Sequence, residues 1–117
     1  MTLEARIFQA LAPLLANRVF PLKAPPDTQR PYCVQTPVSN APTYTLSAAG
    51  NNDRRLMQLD LYSNAAASYD AHLDLAQQIR LALEQVGGRL SGQGADYEDD
   101  TQLYRTRLDF QFWNKPA

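Results

Sequence analysis

The chain has 117 residues, enough for one hydrophobic core and too few for two. Hydrophobic residues make up 44% and charged residues 20%, which excludes a disordered chain and a coiled-coil rod. Eleven Lys and Arg against twelve Asp and Glu leave a net charge of -1, too balanced to supply the positive field that a phosphate backbone recruits.

Leu3, Ile7, Leu11, Leu14 and Leu15 recur at helical spacing, with Thr2 as cap and Glu4 near the positive end of the helix dipole. They predict a helix ending near Ala16, with Asn17 as a left-handed stop and a kink or tightening at Pro13. An early carboxylate and no unbroken apolar run argue against a signal peptide. Nothing later is long enough to span a bilayer, so a soluble protein is expected. Arg18-Val19-Phe20-Pro21 reads as a short extended piece, and the proline-rich run from Pro21 to Pro31 as an exposed loop.

Between Tyr32 and Val38 the side chains alternate, Tyr32, Val34, Thr36 and Val38 on one face and Cys33, Gln35 and Pro37 on the other. Pro37 marks a sheet edge or a strand end. Residues 39 to 53 predict a long hairpin arm, with Tyr44-Thr45-Leu46 as a short strand between turn-forming pieces. Arg54 to Ser63 predicts a central strand with Met57, Leu59 and Leu61 on one face and Leu56, Gln58, Asp60 and Tyr62 on the other. Ser68 or Asn64 caps a second helix whose stripe is Leu75, Ala76, Ile79, Ala82, Leu83 and Val86 and whose end is Gly87-Gly88. Arg89-Leu90 and a glycine-punctuated stretch to Tyr97 follow, then an acidic turn and a terminal strand from Gln102 to Trp113. There Tyr104, Thr106, Leu108, Phe110 and Phe112 alternate with polar partners.

The order of elements predicts one α+β domain over residues 1–117, a mainly antiparallel β-sheet of four to five strands packed against two α-helices.

The residues that could carry chemistry have structural explanations. His72, the single histidine, lies between Asp70 and Asp74, which do not share its face, so it reads as a solvated helix residue. Cys33, the single cysteine, cannot form an internal disulfide, fits a reducing compartment and reads as a small buried group. Asp96, Glu98, Asp99 and Asp100 match no calcium loop and read as a solvated turn. The glycines at 87, 88, 92 and 94 follow a helix, whereas a phosphate cradle precedes one. Arg54, Arg55, Arg105 and Arg107 would gather on the open face of the sheet, with Tyr62 and Trp113 as stacking partners for single-stranded nucleic acid. Asp60 and Asp109 lie there too, so cross-strand ion pairs explain those arginines equally. No catalytic, metal or cofactor site is expected. The competing classes are a nucleic-acid module on the open face and a small metal-dependent enzyme built on the acidic cluster.

Several segments taken in order carry a resemblance. They are Leu14-Leu15-Ala16-Asn17-Arg18-Val19-Phe20-Pro21, Ala24-Pro25 with Arg30-Pro31-Tyr32-Cys33-Val34, Arg55-Leu56-Met57-Gln58-Leu59-Asp60-Leu61-Tyr62, Ala76-Gln77-Gln78-Ile79-Arg80-Leu81-Ala82-Leu83 and Leu103-Tyr104-Arg105-Thr106-Arg107-Leu108-Asp109-Phe110. Together they resemble the tail completion proteins of phages and prophages, tail-to-head joining proteins similar to the lambda-type tail terminator. The resemblance implies a structural protein of the virion tail that forms a six-membered ring on the head-proximal end of the tail tube. Its partners would be the tail tube protein, the head-tail connector and further copies of itself, assembled in the host cytoplasm, with no membrane and no nucleic acid. The family has no catalytic motif to carry over. The candidate interface residues rest on physical grounds: the turn Asn51, Asn52 and Asp53 with Arg54 and Arg55, and Trp113 at a subunit boundary.

Overall fold

In the computed structural model, which describes residues 2–42, 53–64, 68–99 and 101–114, the first helix is α1, Leu3–Leu15. Thr2 Oγ1 accepts the Ala5 N–H at 3.1 Å, satisfying one of the donors that a helix start leaves open. Leu3, Ile7, Leu11 and Leu15 form one buried stripe, and each contributes about 1.5–3 kcal/mol by leaving water. Pro13 sits inside the helix on the exposed side, and the helix continues to Leu15. The stop comes one residue before the expected Asn17. Ala16 already has φ 50°, Asn17 follows at φ 66°, and both N–H groups reach the Ala12 carbonyl. A Cβ is strained there by about 1–2 kcal/mol. Ala16→Gly should therefore raise stability by about 0.5 kcal/mol, after allowing for the extra freedom glycine gives the unfolded chain, seen as a small rise in Tm.

The sheet has five strands in the order β1-β2-β3-β5-β4. They are β1 Val19–Pro21, β2 Tyr32–Pro42, β3 Asp53–Asn64, β4 Arg89–Glu98 and β5 Leu103–Asn114. The strand expected at the centre is β3, and every neighbouring pair is antiparallel except β1 with β2. The Arg18 carbonyl and the Leu22 N–H bond to β2, so the alternate residues Val19, Pro21 and Lys23 turn outward. There the Val19 N–H is taken by the Asn17 carbonyl and the Lys23 N–H by the Pro21 carbonyl, while Pro21 has no N–H.

Two strands differ from expectation. β2 does not stop near Pro37. It shifts register between Pro37 and Ser39 and continues to Pro42 opposite Asp53. Pro37 is tolerated because β1 has ended by Gln35, leaving that side of β2 as a free edge. The glycine-punctuated stretch is itself strand, the edge strand β4, with a register shift between Leu90 and Gly92. Gly92 makes room for a β5 side chain, since a Cβ there would stand 3.2 Å from Asp109 Oδ2, whereas one on Gly94 would meet Arg107 Nη2 at an ordinary contact distance of 3.6 Å. The expected strand Tyr44-Thr45-Leu46 lies outside the described residues.

The second helix, α2, spans Tyr69–Gln85, with Ser68 as its cap accepting the Ala71 N–H at 3.0 Å. Its end is a Schellman motif: Gly87, at φ 95°, donates to the Glu84 carbonyl and Gly88 to the Leu83 carbonyl. A Cβ at Gly88 would meet the Phe112 ring at 2.8 Å and the Leu83 carbonyl at 2.9 Å. The backbone atom cannot step aside cheaply, so Gly88→Ala should cost about 2 kcal/mol in a denaturant titration. Both helices lie on one face of the sheet, their stripes packed on Cys33, Met57, Leu59, Leu61, Leu108, Phe110 and Phe112. The fold is α+β, as the order of elements predicts.

Candidate functional site

The sheet brings part of the predicted interface together. Register sets Asp53 opposite Asn114, Arg54 opposite Trp113 and Arg55 opposite Phe112, so the start of β3 and the end of β5 form one end of the sheet. Asn51 and Asn52 lie outside the described residues. Arg55 departs from the expected open-face cluster. Strand alternation puts it with Met57, Leu59 and Leu61 on the helix side, where its Nη2 stands 2.6 Å from Glu4 Oε1 at the start of α1. A backbone hydrogen bond at the helix start, with help from Arg55, holds the Glu4 carboxyl below its ordinary pKa despite partial burial.

Arg105 and Arg107, on the open face, are both engaged. Arg105 Nε and Nη2 both donate to Asp60 Oδ1, at 3.2 and 3.0 Å, and Gln58 Nε2 donates to Asp60 Oδ2 at 2.9 Å. Asp60 is only 6% exposed, so this pair neutralises a carboxylate that burial would otherwise destabilise. The predicted cross-strand pairing holds for Arg105. Arg107 instead pairs along its own strand, Nε to Asp109 Oδ2 at 3.4 Å, across the gap left by Gly92 and Gly94. The Tyr62 ring stacks on Tyr32 with centroids 5.0 Å apart, and the Arg105 guanidinium lies 6.0 Å from the Tyr62 centroid. A stacking surface for bases needs free cations beside its rings, and these two are committed to carboxylates.

His72 is the main correction. It is 2% exposed, with Nδ1 2.7 Å from Ser63 Oγ on β3 and Nε2 2.6 Å from Thr106 Oγ1 on β5. Both hydroxyls are buried, and Tyr69 and Tyr104 flank the ring. Burial pushes the imidazole pKa below its ordinary value. The flanking aspartates drew attention to charge. The informative signal was spacing, since His72, Ala76, Ile79 and Leu83 make one helical stripe and all are buried. Two hydroxyls without a carboxylate anchor the ring but supply no general base for a nucleophile.

Cys33 is buried as expected, and desolvation drives its thiol far above the ordinary range, away from thiolate chemistry. Asp96 and Glu98 lie on β4 and Asp99 in the following turn, where Glu98 accepts the Thr101 hydroxyl at 3.0 Å. Among the described residues no three His, Cys, Asp or Glu side chains converge to hold a metal ion.

Comparison with known proteins decides what kind of molecule this is. The family model described as tail completion protein gp17 matches residues 5–115, nearly the whole chain. The chain belongs to the tail completion protein family. It is accordingly a structural component of a phage tail. In fold it is similar to a chain of the virion of a native gene transfer agent particle, with a TM-score of 0.62 and 19% identity over 95% of this chain and 92% of that one. No curated protein matches the sequence.

Proposed function

We propose that residues 1–117 act as one unit that caps the head-proximal end of a phage tail tube and helps join tail to head. Six copies would form a ring there, in contact with the tail tube protein on one side and the head-tail connector on the other. Assembly takes place in the host cytoplasm and involves no catalysis. The observation that carries this reading is the family match across residues 5–115. The structure supports it through the exposed edge strand β4 and the exposed loop before β2, features that suit recognition of neighbours. The end of the sheet holding Asp53, Arg54 and Trp113 is proposed to face the tube or an adjoining subunit.

Electron microscopy of tails assembled with and without this protein tests the proposal. With it, tubes should be of uniform length, carry a ring at one end and join heads. Tubes of the same length and head-joining competence in its absence would defeat the reading.

A further inference from the structure

At the end of the sheet where α2 begins, Tyr69, Tyr97 and Tyr104 line a groove of about 300 Å³ together with Ala95 and Asp96. The rings touch one another, Tyr69 to Tyr104 with centroids 5.2 Å apart and Tyr97 to Tyr104 edge-on at 5.6 Å. Even so, Tyr69 and Tyr97 are 44% and 46% exposed. Three electron-rich ring faces, at a margin of the sheet where Asp96 and Glu98 end β4 and Asp99 follows in the turn, make a site suited to a guanidinium or an ammonium.

The opposite side of the same sheet carries the opposite charge. Arg18, Lys23 and Arg30 surround β1 and the start of β2, against the single carboxylate of Asp27. The two sides stand at one level. Asp96 is paired with Arg105, Arg105 with Tyr62 and Tyr62 with Tyr32, and Arg30 lies two residues before Tyr32. Arg18 is anchored through its Nε–H to the Pro31 carbonyl at 2.9 Å. Arg30 is exposed and makes no ion pair among the described residues.

We propose that the tyrosine groove of one copy receives the Arg30 guanidinium of a second copy. The inference rests on the assembly reading above and names the surfaces that would join neighbours. Groove and arginine lie on different flanks of the molecule, so the contact is heterologous. Each copy gives one arginine and accepts another, the head-to-tail arrangement that yields a ring when the rotation between neighbours closes. The partner is a second copy rather than an unrelated basic peptide because the complementary charge is already present at the matching level of the same sheet.

Sedimentation velocity of the full chain up to millimolar concentration tests the contact, with Arg30→Glu and Tyr97→Ser as variants at exposed positions and thermal melts to show that both fold. The wild type should self-associate, and either variant should do so about tenfold more weakly or worse. A mixture of the two variants keeps one intact half-contact and should yield a heterodimer and nothing larger. A wild type that stays monomeric throughout, variants that associate like the wild type, or a mixture that behaves like its components would each overturn the proposal. Electron microscopy separates this from the assembly reading. Rings that form at tail ends equally well with both variants would remove the Arg30 contact and leave tail capping intact. Tails that never carry the protein would remove tail capping and leave the contact to the solution measurement.

Discussion

Replacing His72 by leucine should cost about 2–4 kcal/mol of folding stability, because the Ser63 and Thr106 hydroxyls lose their shared partner while remaining buried. The size of the side chain is nearly kept, so the loss reports unsatisfied polar groups rather than a cavity. The same residue should make stability depend on pH. Folding depresses the imidazole pKa, so as pH falls through the ordinary histidine value of about 6.5 the unfolded chain takes up its proton first. The contribution is fully present above that pH and is lost below it, at up to about 1.4 kcal/mol per pH unit. Urea titrations between pH 5 and 7 should show this slope in the wild type and a nearly flat profile in His72→Leu. A slope that survives the substitution would mean that another group is titrating.

Arg105→Met should cost about 2–4 kcal/mol, since it leaves the Asp60 carboxylate buried with Gln58 as its remaining partner. The penalty is that of an uncompensated charge, so it should shrink when the charge is removed as well. Asp60→Asn with Arg105→Met is expected to recover at least half of the loss, giving a coupling that a double-mutant cycle reads directly. If the two single losses simply add, the two side chains are not coupled in solution. Arg107→Met, by contrast, should change stability little, because its pair with Asp109 is half exposed and screened by water.

What could be read in the sequence follows from which signals are periodic. The stripes Leu3, Ile7, Leu11, Leu15 and Ala76, Ile79, Leu83, and the alternation through β3 and β5, stood out because one face of each element is buried and the other is wet. That contrast also made the α+β layout legible. In β4 the glycines erase the alternation, and the need for Gly92 lies in the Asp109 side chain of a neighbouring strand. The shift at Pro37 likewise depends on where β1 ends, a fact held elsewhere in the chain. His72 was misplaced because a polar residue on an apolar stripe needs partners from two strands before burial becomes favourable, and those hydroxyls lie 9 and 34 residues away. Charge alone groups Arg55 with Arg105 and Arg107, but its odd position in β3 gives it the face of Met57, Leu59 and Leu61, where Glu4 meets it.

The bonding around Val19, Pro21 and Lys23 sets a limit on how copies of this protein can meet. With the outward N–H groups of β1 already spoken for or missing, that short strand has no donor to offer an incoming one, whereas β4 at the far margin has ten residues of backbone and no proline. A strand without outward donors cannot extend the sheet along its own length, so β1 blunts the part of the margin that it covers, and β2 beyond Gln35 keeps its free edge. Strand addition on that side is thereby confined to the stretch of β2 that β1 leaves bare, where Pro37 removes one more donor.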